Sequence, residues 1–342
     1  MSKVMQIIQA GVLASAVLMV AVAGSQAEPI KMRISVDSAA QNIRVKILND
    51  YIAAVNAKVG DRLEIELFHS SQLFNDRDAI KATHQGAIQM STPSTSLLSS
   101  VETNFNAALL PVFYGVDVQE MRDFADGELG RELNESLEAK LDVKILGPWL
   151  EMASAHLYSV AGKPMNTYKD LEGMTIRTPG GAGNDLRLAF FKANVVNIPW
   201  PDVPLALSQG KIDAIFTLHG SLAAGKMWES GVKYCFEDYG AGAHYVPMIN
   251  RSFWDQLPAD LQTVLTDTWL EQVPAQRVAM AAAQAEARDT LIANGVKIVT
   301  PDLSARAAVR EEMLKSYDQW VEALGIDRDF AERVRQAFGT SH

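Results

Sequence analysis

Apolar and polar positions along this chain alternate between two periods. Ile30 to Val36 switches apolar and polar residues one by one, the pattern of a strand with one buried face. Gln41 to Val59 then sets Ile43, Ile47, Tyr51, Ile52 and Val55 at helical spacing and ends at Gly60. Leu63 to Phe68 returns to alternation, Asp76 to Gln85 is amphipathic and closes at Gly86, and Ala87 to Ser91 reads as a third short strand. This β-α-β-α-β order predicts a parallel α/β layer. A single helix is expected across Val118 to Leu141.

The same grammar returns in the second half. A new set is expected to begin at Val143 to Trp149, followed by a strand at Thr175 to Thr178 stopped by Pro179 and a helix over Asn184 to Lys192. Val203 to Gln209 reads as a helix stopped by Gly210, and Ile212 to Thr217 as a buried strand. No short period repeats, so the chain is two similar α/β lobes and not a solenoid. Leu257 to Asn294 is Ala- and Gln-rich and helical, with Pro274 expected to begin or kink a helix, and helical signals recur from Ser304 to Phe338. The expected division is residues 28–150 mainly in the first lobe, 151–250 mainly in the second, and 251–342 as helices packing across both, with segments exchanged between lobes.

Composition narrows the class. The 342 residues are 48% hydrophobic and 21% charged, long enough for two cores and neither disordered nor fibrous. A net charge of -10 repels phosphate backbones, so no nucleic-acid partner is expected. The one cysteine, Cys235, cannot form an internal disulfide and reads as a small buried hydrophobe.

The N-terminus carries a targeting pattern. Lys3 precedes an uncharged, largely apolar stretch from Ile7 to Ala23, and Ser25-Gln26-Ala27 places small residues at -3 and -1 of a signal peptidase site. Residues 1–27 are therefore read as a cleaved secretory signal, with an uncleaved anchor as the alternative. After residue 30 no further apolar run is long enough to span a bilayer. The expected location is the periplasm.

Four stretches in order then resemble one family. PMNTYKDLEGMTIRTP from Pro164 to Pro179 is similar to the signature of the TRAP-type periplasmic solute-binding proteins of the DctP family, in which this run leads to a ligand-binding arginine. Ser71-Gln72-Leu73 with Arg77 and Gly86, the run Leu205 to Asp213 (LALSQGKID), and Phe253-Trp254 to Leu257-Pro258 also resemble the family's pattern. The resemblance implies a two-lobed periplasmic-binding-protein fold with long helices bracing the lobes. It also implies a receptor that closes on a small organic anion and delivers it to the small and large membrane subunits of a TRAP permease.

Chemistry at the candidate positions agrees with that role. A guanidinium at a strand end, as at Arg177, can give two parallel charge-assisted hydrogen bonds to a carboxylate; the ordinary alternative is a surface ion pair. Where typical members have a second arginine, eight residues before Pro164, this chain has His156, which could contact a carboxylate, phosphate or hydroxyl or be a core histidine. Glu151 could accept from ligand hydroxyls or serve as an internal salt-bridge partner. Thr217 stands where many relatives carry a ligand-binding Asn, and neighbouring His219 faces either cleft or solvent. Trp200, between two prolines, matches a position where relatives place an aromatic wall, and Tyr245 would reach in from the hinge side. On the first lobe, Ser38, Asn42, Ser71, Asn75 and Ser94, with Ser70, lie beyond strand ends or at helix starts, where they contact ligand or merely cap helices.

One arginine, a histidine in place of its partner, several hydroxyls and an aromatic wall point to a sugar acid or other hydroxy carboxylate. A polyol phosphate or sulfonate is the rival ligand, and a ligand-loaded partner of a sensor the rival role. Catalysis is not expected. Ser208-Gln209-Gly210-Lys211 satisfies S-x-x-K without the K-T-G that should follow, and Gly180-Gly181-Ala182-Gly183 lacks the spacing of a dinucleotide loop. The six histidines show no pair at helical metal spacing, so neither a metal site nor a cofactor is expected.

Overall fold

A computed structural model describes residues 28–339, so the signal-peptide reading lies outside the described residues. Two mixed sheets organise the chain. The first has the strand order β2-β1-β3-β10-β4, built from β1 (Ile30–Ser35), β2 (Leu63–Phe68), β3 (Met90–Ser91), β4 (Val143–Ile145) and β10 (Met248–Asn250). The second has the order β11-β9-β5-β8-β6-β7, from β5 (Leu150–Val160), β6 (Thr175–Thr178), β7 (Asn194–Asn197), β8 (Ala214–Thr217), β9 (Val232–Tyr245) and β11 (Lys297–Val299). In each, the parallel pairs β1/β2, β1/β3, β6/β7 and β6/β8 carry the βαβ grammar. Each sheet is the centre of one lobe.

Three connections join the lobes. The chain leaves the first sheet after β4 into β5 and returns from β9 into β10, and these two crossings are tied by a hydrogen bond from Leu146 N to Pro247 O (3.1 Å). The third is the helix Ala259–Ala293, about 52 Å long at 1.5 Å per residue. Its first half packs on helix Ile43–Val59, where Tyr51 sits edge-on to Trp269 (5.2 Å) and donates to Leu265 O (3.1 Å). Its second half grips the other lobe, Gln284 accepting from Gly220 N (2.8 Å) and Arg288 pairing with Glu237 (2.6 Å).

Three expectations are corrected, and one pairing lies outside them. Val143–Ile145 does not open the second lobe: it pairs antiparallel with β10 as an edge of the first sheet. The helix expected over Val118 to Leu141 is two helices, Val118–Asp126 and Glu128–Leu141, broken at Gly127, where a Cβ would lie 2.3 Å from Asp123 O. No helix begins at Pro274: helix Ala259–Ala293 runs through it, anchored on both sides by the buried Trp269, Val273, Met280 and Gln284. The long antiparallel pair β5/β9, unanticipated in the periodicity, forms the middle of the second sheet; it is bulged near Ser154 and Ala155, and β9 reads VKYCFEDYGAGAHY, with acidic residues, Gly and Ala where β-branched residues would mark a strand. Cys235 is fully buried in β9.

Candidate functional site

A cavity of about 100 Å³ lies between the two sheets, beyond the C-terminal ends of β1, β6 and β8 and beside the end of β9. Open α/β sheets characteristically hold ligands there, because the ends of strands and the starts of helices leave polar backbone groups unpaired. The lobes touch around it. Asn42 Nδ2 approaches Ser221 Oγ (3.4 Å), and Arg77 donates to Pro179 O (3.2 Å). The Gly180-Gly181-Ala182-Gly183 run owes its glycines to this approach: Gly181 has φ +97°, and a Cβ there would lie 2.4 Å from Ser96 O.

Arg177, the third residue of β6, projects into this cavity. Its Nε donates to Ile198 O (2.7 Å), which fixes the plane of the guanidinium, and its Cζ lies 5.7 Å from the centre of the Trp200 ring. The side chain is buried, and among the described residues no carboxylate stands within ion-pair distance of it. Burial lowers its pKa to about 10, with Asp37 and Tyr245 pulling it back up, so it remains charged at neutral pH. A desolvated cation without a protein anion, its outer nitrogens toward a cavity, is poised for a ligand anion.

Opposite stands a second, very different arginine. Arg44, in the first turn of helix Ile43–Val59, is fully buried and gives Asp76 a two-point ion pair (2.7 and 3.1 Å), with further bonds to Thr92 and Ser38. Its guanidinium lies 4.1 Å over the ring of Tyr245. It does not line the cavity; it props up the residues that do. Asn42 caps this helix by accepting from Arg44 N (2.9 Å), so its side chain both ends the loop and reaches across the cleft.

Seven expected residues meet in the cavity lining: Ser38, Asn42, Ser94, Arg177, Trp200, Thr217 and Tyr245. Four do not. Glu151 is the internal salt-bridge partner, held by Arg122 (2.5 and 2.8 Å) with Arg277 at 3.7 Å. His156 is buried against His219 (ring centres 4.7 Å apart) and Tyr239 (4.8 Å), while its neighbour Ala155 lines the cavity. Burial, then His219, lowers the pKa of His156 to about 3, so it stays neutral and supplies no charge in place of the missing arginine. Asn75 caps helix Asp76–His84 by accepting from Asp78 N (3.0 Å). Ser71 sits in a left-handed turn (φ +57°) outside the cavity with its hydroxyl buried and unpartnered.

Two further outcomes concern histidines. His219 faces neither cleft nor solvent: it is buried, bonded to Tyr158 Oη (2.7 Å) and Glu237 (3.1 Å). Although the histidines are scattered in sequence, the fold gathers His156, His219 and Glu237 within 4.8 Å of one another, contrary to the expectation of no cluster. Glu237 is committed to Arg288, Thr300 and His219, whose hydrogen bonds outweigh burial and hold its pKa well below the usual range. Ser208 bonds to Leu205 O (2.9 Å) at a helix end, away from the cavity.

Several polar lining residues escaped the sequence reading, among them Asp37, Asp76, Asn184 and His244. Asp37 lies two residues beyond β1, beside the singled-out Ser38, and could have been found by applying the strand-end argument to its neighbour. His244 is buried next to Tyr245, with Nε2 unpartnered and its pKa lowered by burial to about 4. Asn184 donates to Gly180 O (3.0 Å) in the glycine turn.

A two-lobed α/β protein with a cleft between its lobes and, among the described residues, a buried arginine that faces the cleft without a carboxylate partner is, as a class, a solute receptor. The model of the bacterial extracellular solute-binding proteins of family 7, DctP, matches residues 35–323, and the chain belongs to that family. It is 26% identical over 291 residues to the 2,3-diketo-L-gulonate-binding periplasmic protein YiaO of Escherichia coli K12, covering 83% of this chain and 86% of that one. It is 23% identical over 313 residues to the C4-dicarboxylate-binding periplasmic protein DctP of Rhodobacter capsulatus, covering 91% and 92%. In fold it resembles the sugar acid binding protein of Advenella mimigardefordensis, solved with galactonate (TM-score 0.84, 18% identity, 92% of this chain and 99% of that one). A TRAP solute-binding protein of Xanthobacter autotrophicus, solved with β-D-galacturonate, is similar (TM-score 0.79, 21% identity, 90% and 99%). The family is one of extracellular solute-binding proteins, the relatives of Escherichia coli, Rhodobacter capsulatus and Xanthobacter autotrophicus are named as periplasmic, and all four are named for, or solved with, small organic anions.

Proposed function

We propose that this protein is the receptor of a TRAP transporter, exported by the signal in residues 1–27 and cleaved before it works in the periplasm. It captures a hydroxylated carboxylate, a sugar acid or another hydroxy acid, and passes it to the small and large permease subunits without turning it over. The observation that carries this reading is Arg177: buried, fixed by Ile198 O, facing the cavity and lacking a protein carboxylate. The anion docks on Arg177 in the open state, the first lobe swings in by hinge bending at the β4/β5 and β9/β10 crossings, and closure strengthens the ion pair by excluding water. Trp200 supplies a flat wall for the C–H face of the ligand, and Asn42, Ser94 and Thr217 supply hydroxyl and amide partners. Support for the ligand class comes from the relatives named for diketogulonate, galactonate and galacturonate.

A thermal-shift screen of the mature, ligand-stripped protein against sugar acids, dicarboxylates, keto acids, amino acids and polyol phosphates tests it, because a ligand that binds only the folded state raises the melting temperature. A sugar or hydroxy acid should give the largest shift and be recovered unchanged. A shift with polyol phosphates alone would overturn the carboxylate assignment, and turnover of the hit would overturn the receptor role.

A further inference from the structure

Charge around the cavity is unbalanced. Of the side chains lining it, one is cationic, Arg177, and two are carboxyls, Asp37 and Asp76. Arg44 cannot serve as a second cation, because both its outer nitrogens are spent on Asp76 and it lies behind the wall. His244 lines the cavity but is neutral at physiological pH. Asp76 is neutralised by its two-point pair with Arg44, so a ligand with two carboxylates would set one on Arg177 and have Asp37 as the remaining acid in the lining to oppose the other.

Of the two acids, Asp37 is the one with capacity to spare. Asp76 has both oxygens on Arg44, and its Oδ1 also accepts from Asp37 N (3.2 Å). The Asp37 carboxyl makes only a long contact with Arg44 (3.4 Å), and its side chain keeps 18% of its surface open. Burial, then the neighbouring Asp76, lift its pKa to about 7, against the pull of Arg44 and Arg177. Other polar groups here, among them Asn42, Ser94, Thr217 and the unpartnered His244, are uncharged and suit hydroxyls.

We infer that the site seats one carboxylate, on Arg177, and that Asp37 selects against a second one by binding a ligand hydroxyl in its place. This rests on the receptor reading above. It makes the protein a monocarboxylate receptor, although the family also contains relatives named for C4-dicarboxylates. Placing two like charges together in a closed cleft costs enough to shift affinity by about 100-fold or more.

Matched ligand pairs test this by titration calorimetry at pH 8, where Asp37 is ionised: galactonate against galactarate, and erythronate against meso-tartrate, which differ only by oxidation of the terminal CH₂OH to carboxylate. Wild type should bind the preferred aldonate about 100-fold more tightly than its aldarate. Asp37→Asn should narrow that gap at least tenfold, chiefly by improving the aldarate. An aldarate that binds wild type as well as its aldonate overturns the inference and leaves the receptor reading intact. The same holds for a gap unchanged in folded Asp37→Asn; if that variant does not fold, Asp37→Ser and the wild-type ratio decide. Failure of all four ligands, in protein that also ignores other hydroxy acids, defeats the receptor reading itself.

Discussion

Replacing Arg177 separates a ligand-binding arginine from a structural one. In Arg177→Ala the guanidinium that faces the cavity is lost together with one internal bond, Nε to Ile198 O (2.7 Å). For binding, the loss is two charge-assisted hydrogen bonds in a site closed to water, at about 1.5–3 kcal/mol each, so about 3–6 kcal/mol or a Kd weaker by about 10²- to 10⁴-fold. For the unliganded fold the sign differs. The lost bond costs about 1 kcal/mol, but removing a buried cation without a protein anion relieves its desolvation, so the apo melting temperature should hold or rise. Arg177→Lys should lose about 10- to 100-fold in affinity, since a lysine offers a point charge and no planar fork. Calorimetry with the best hydroxy acid, beside melting curves with and without it, reads both quantities. A folded Arg177→Ala variant that binds within threefold of wild type refutes the assignment. One that loses apo stability as heavily as affinity shows the arginine to be structural.

Other perturbations follow from the same contacts. Asp76→Ala should destabilise the protein by about 3–5 kcal/mol in urea unfolding, because it strands the fully buried Arg44. Gly181→Ala should leave the lobes folded but weaken ligand binding at least tenfold, since the new Cβ meets Ser96 O across the cleft at 2.4 Å and obstructs closure; scattering with ligand present would show the open shape. His156, with its folded pKa lowered to about 3 against 6.5 unfolded, takes up a proton on unfolding and not before, so stability is lost as pH falls from about 6.5 toward 3, at up to about 1.4 kcal/mol per pH unit. His156→Leu should therefore reduce the drop in apo melting temperature between pH 7 and pH 5, with His244 accounting for part of what remains.

The regular βαβ segments were readable because their local signals agree with their tertiary fate. Leu63–Phe68 begins and ends where alternation predicts, and the Ile43–Val59 helix starts at the Asn42 cap. The segments that make the protein two-lobed were not readable for the opposite reason. β9 carries Glu237, Asp238, Gly240 and Gly242 because it crosses between lobes, buries the Asp238–Arg187 pair (2.5 Å) and brings its backbone close to neighbours; a Cβ on Gly240 would lie 2.5 Å from Arg187. Its form is dictated by contacts distant in sequence, which no local period records. Gly127 misled similarly, since apolar spacing continues across a residue whose backbone is extended.

Within the site, residue type was legible and availability was not. Arg44 and Arg177 are both buried arginines next to strand or helix ends, and a sequence gives each the same capacity for a carboxylate. Only the fold shows Arg44 saturated by Asp76 and Thr92, and Arg177 facing the cavity with, among the described residues, no carboxylate at ion-pair distance. The same distinction sorts Glu151, spent on Arg122, from Asp37, which is held only by a long contact to Arg44 (3.4 Å), though both are acids near strand ends. A binding site is defined by what its side chains have left over after the fold has used them. In this cleft the remainder is one cation, one tunable carboxyl and several uncharged hydroxyl and amide groups, and a ligand that complements them carries a single negative charge at one end and hydroxyls along the rest.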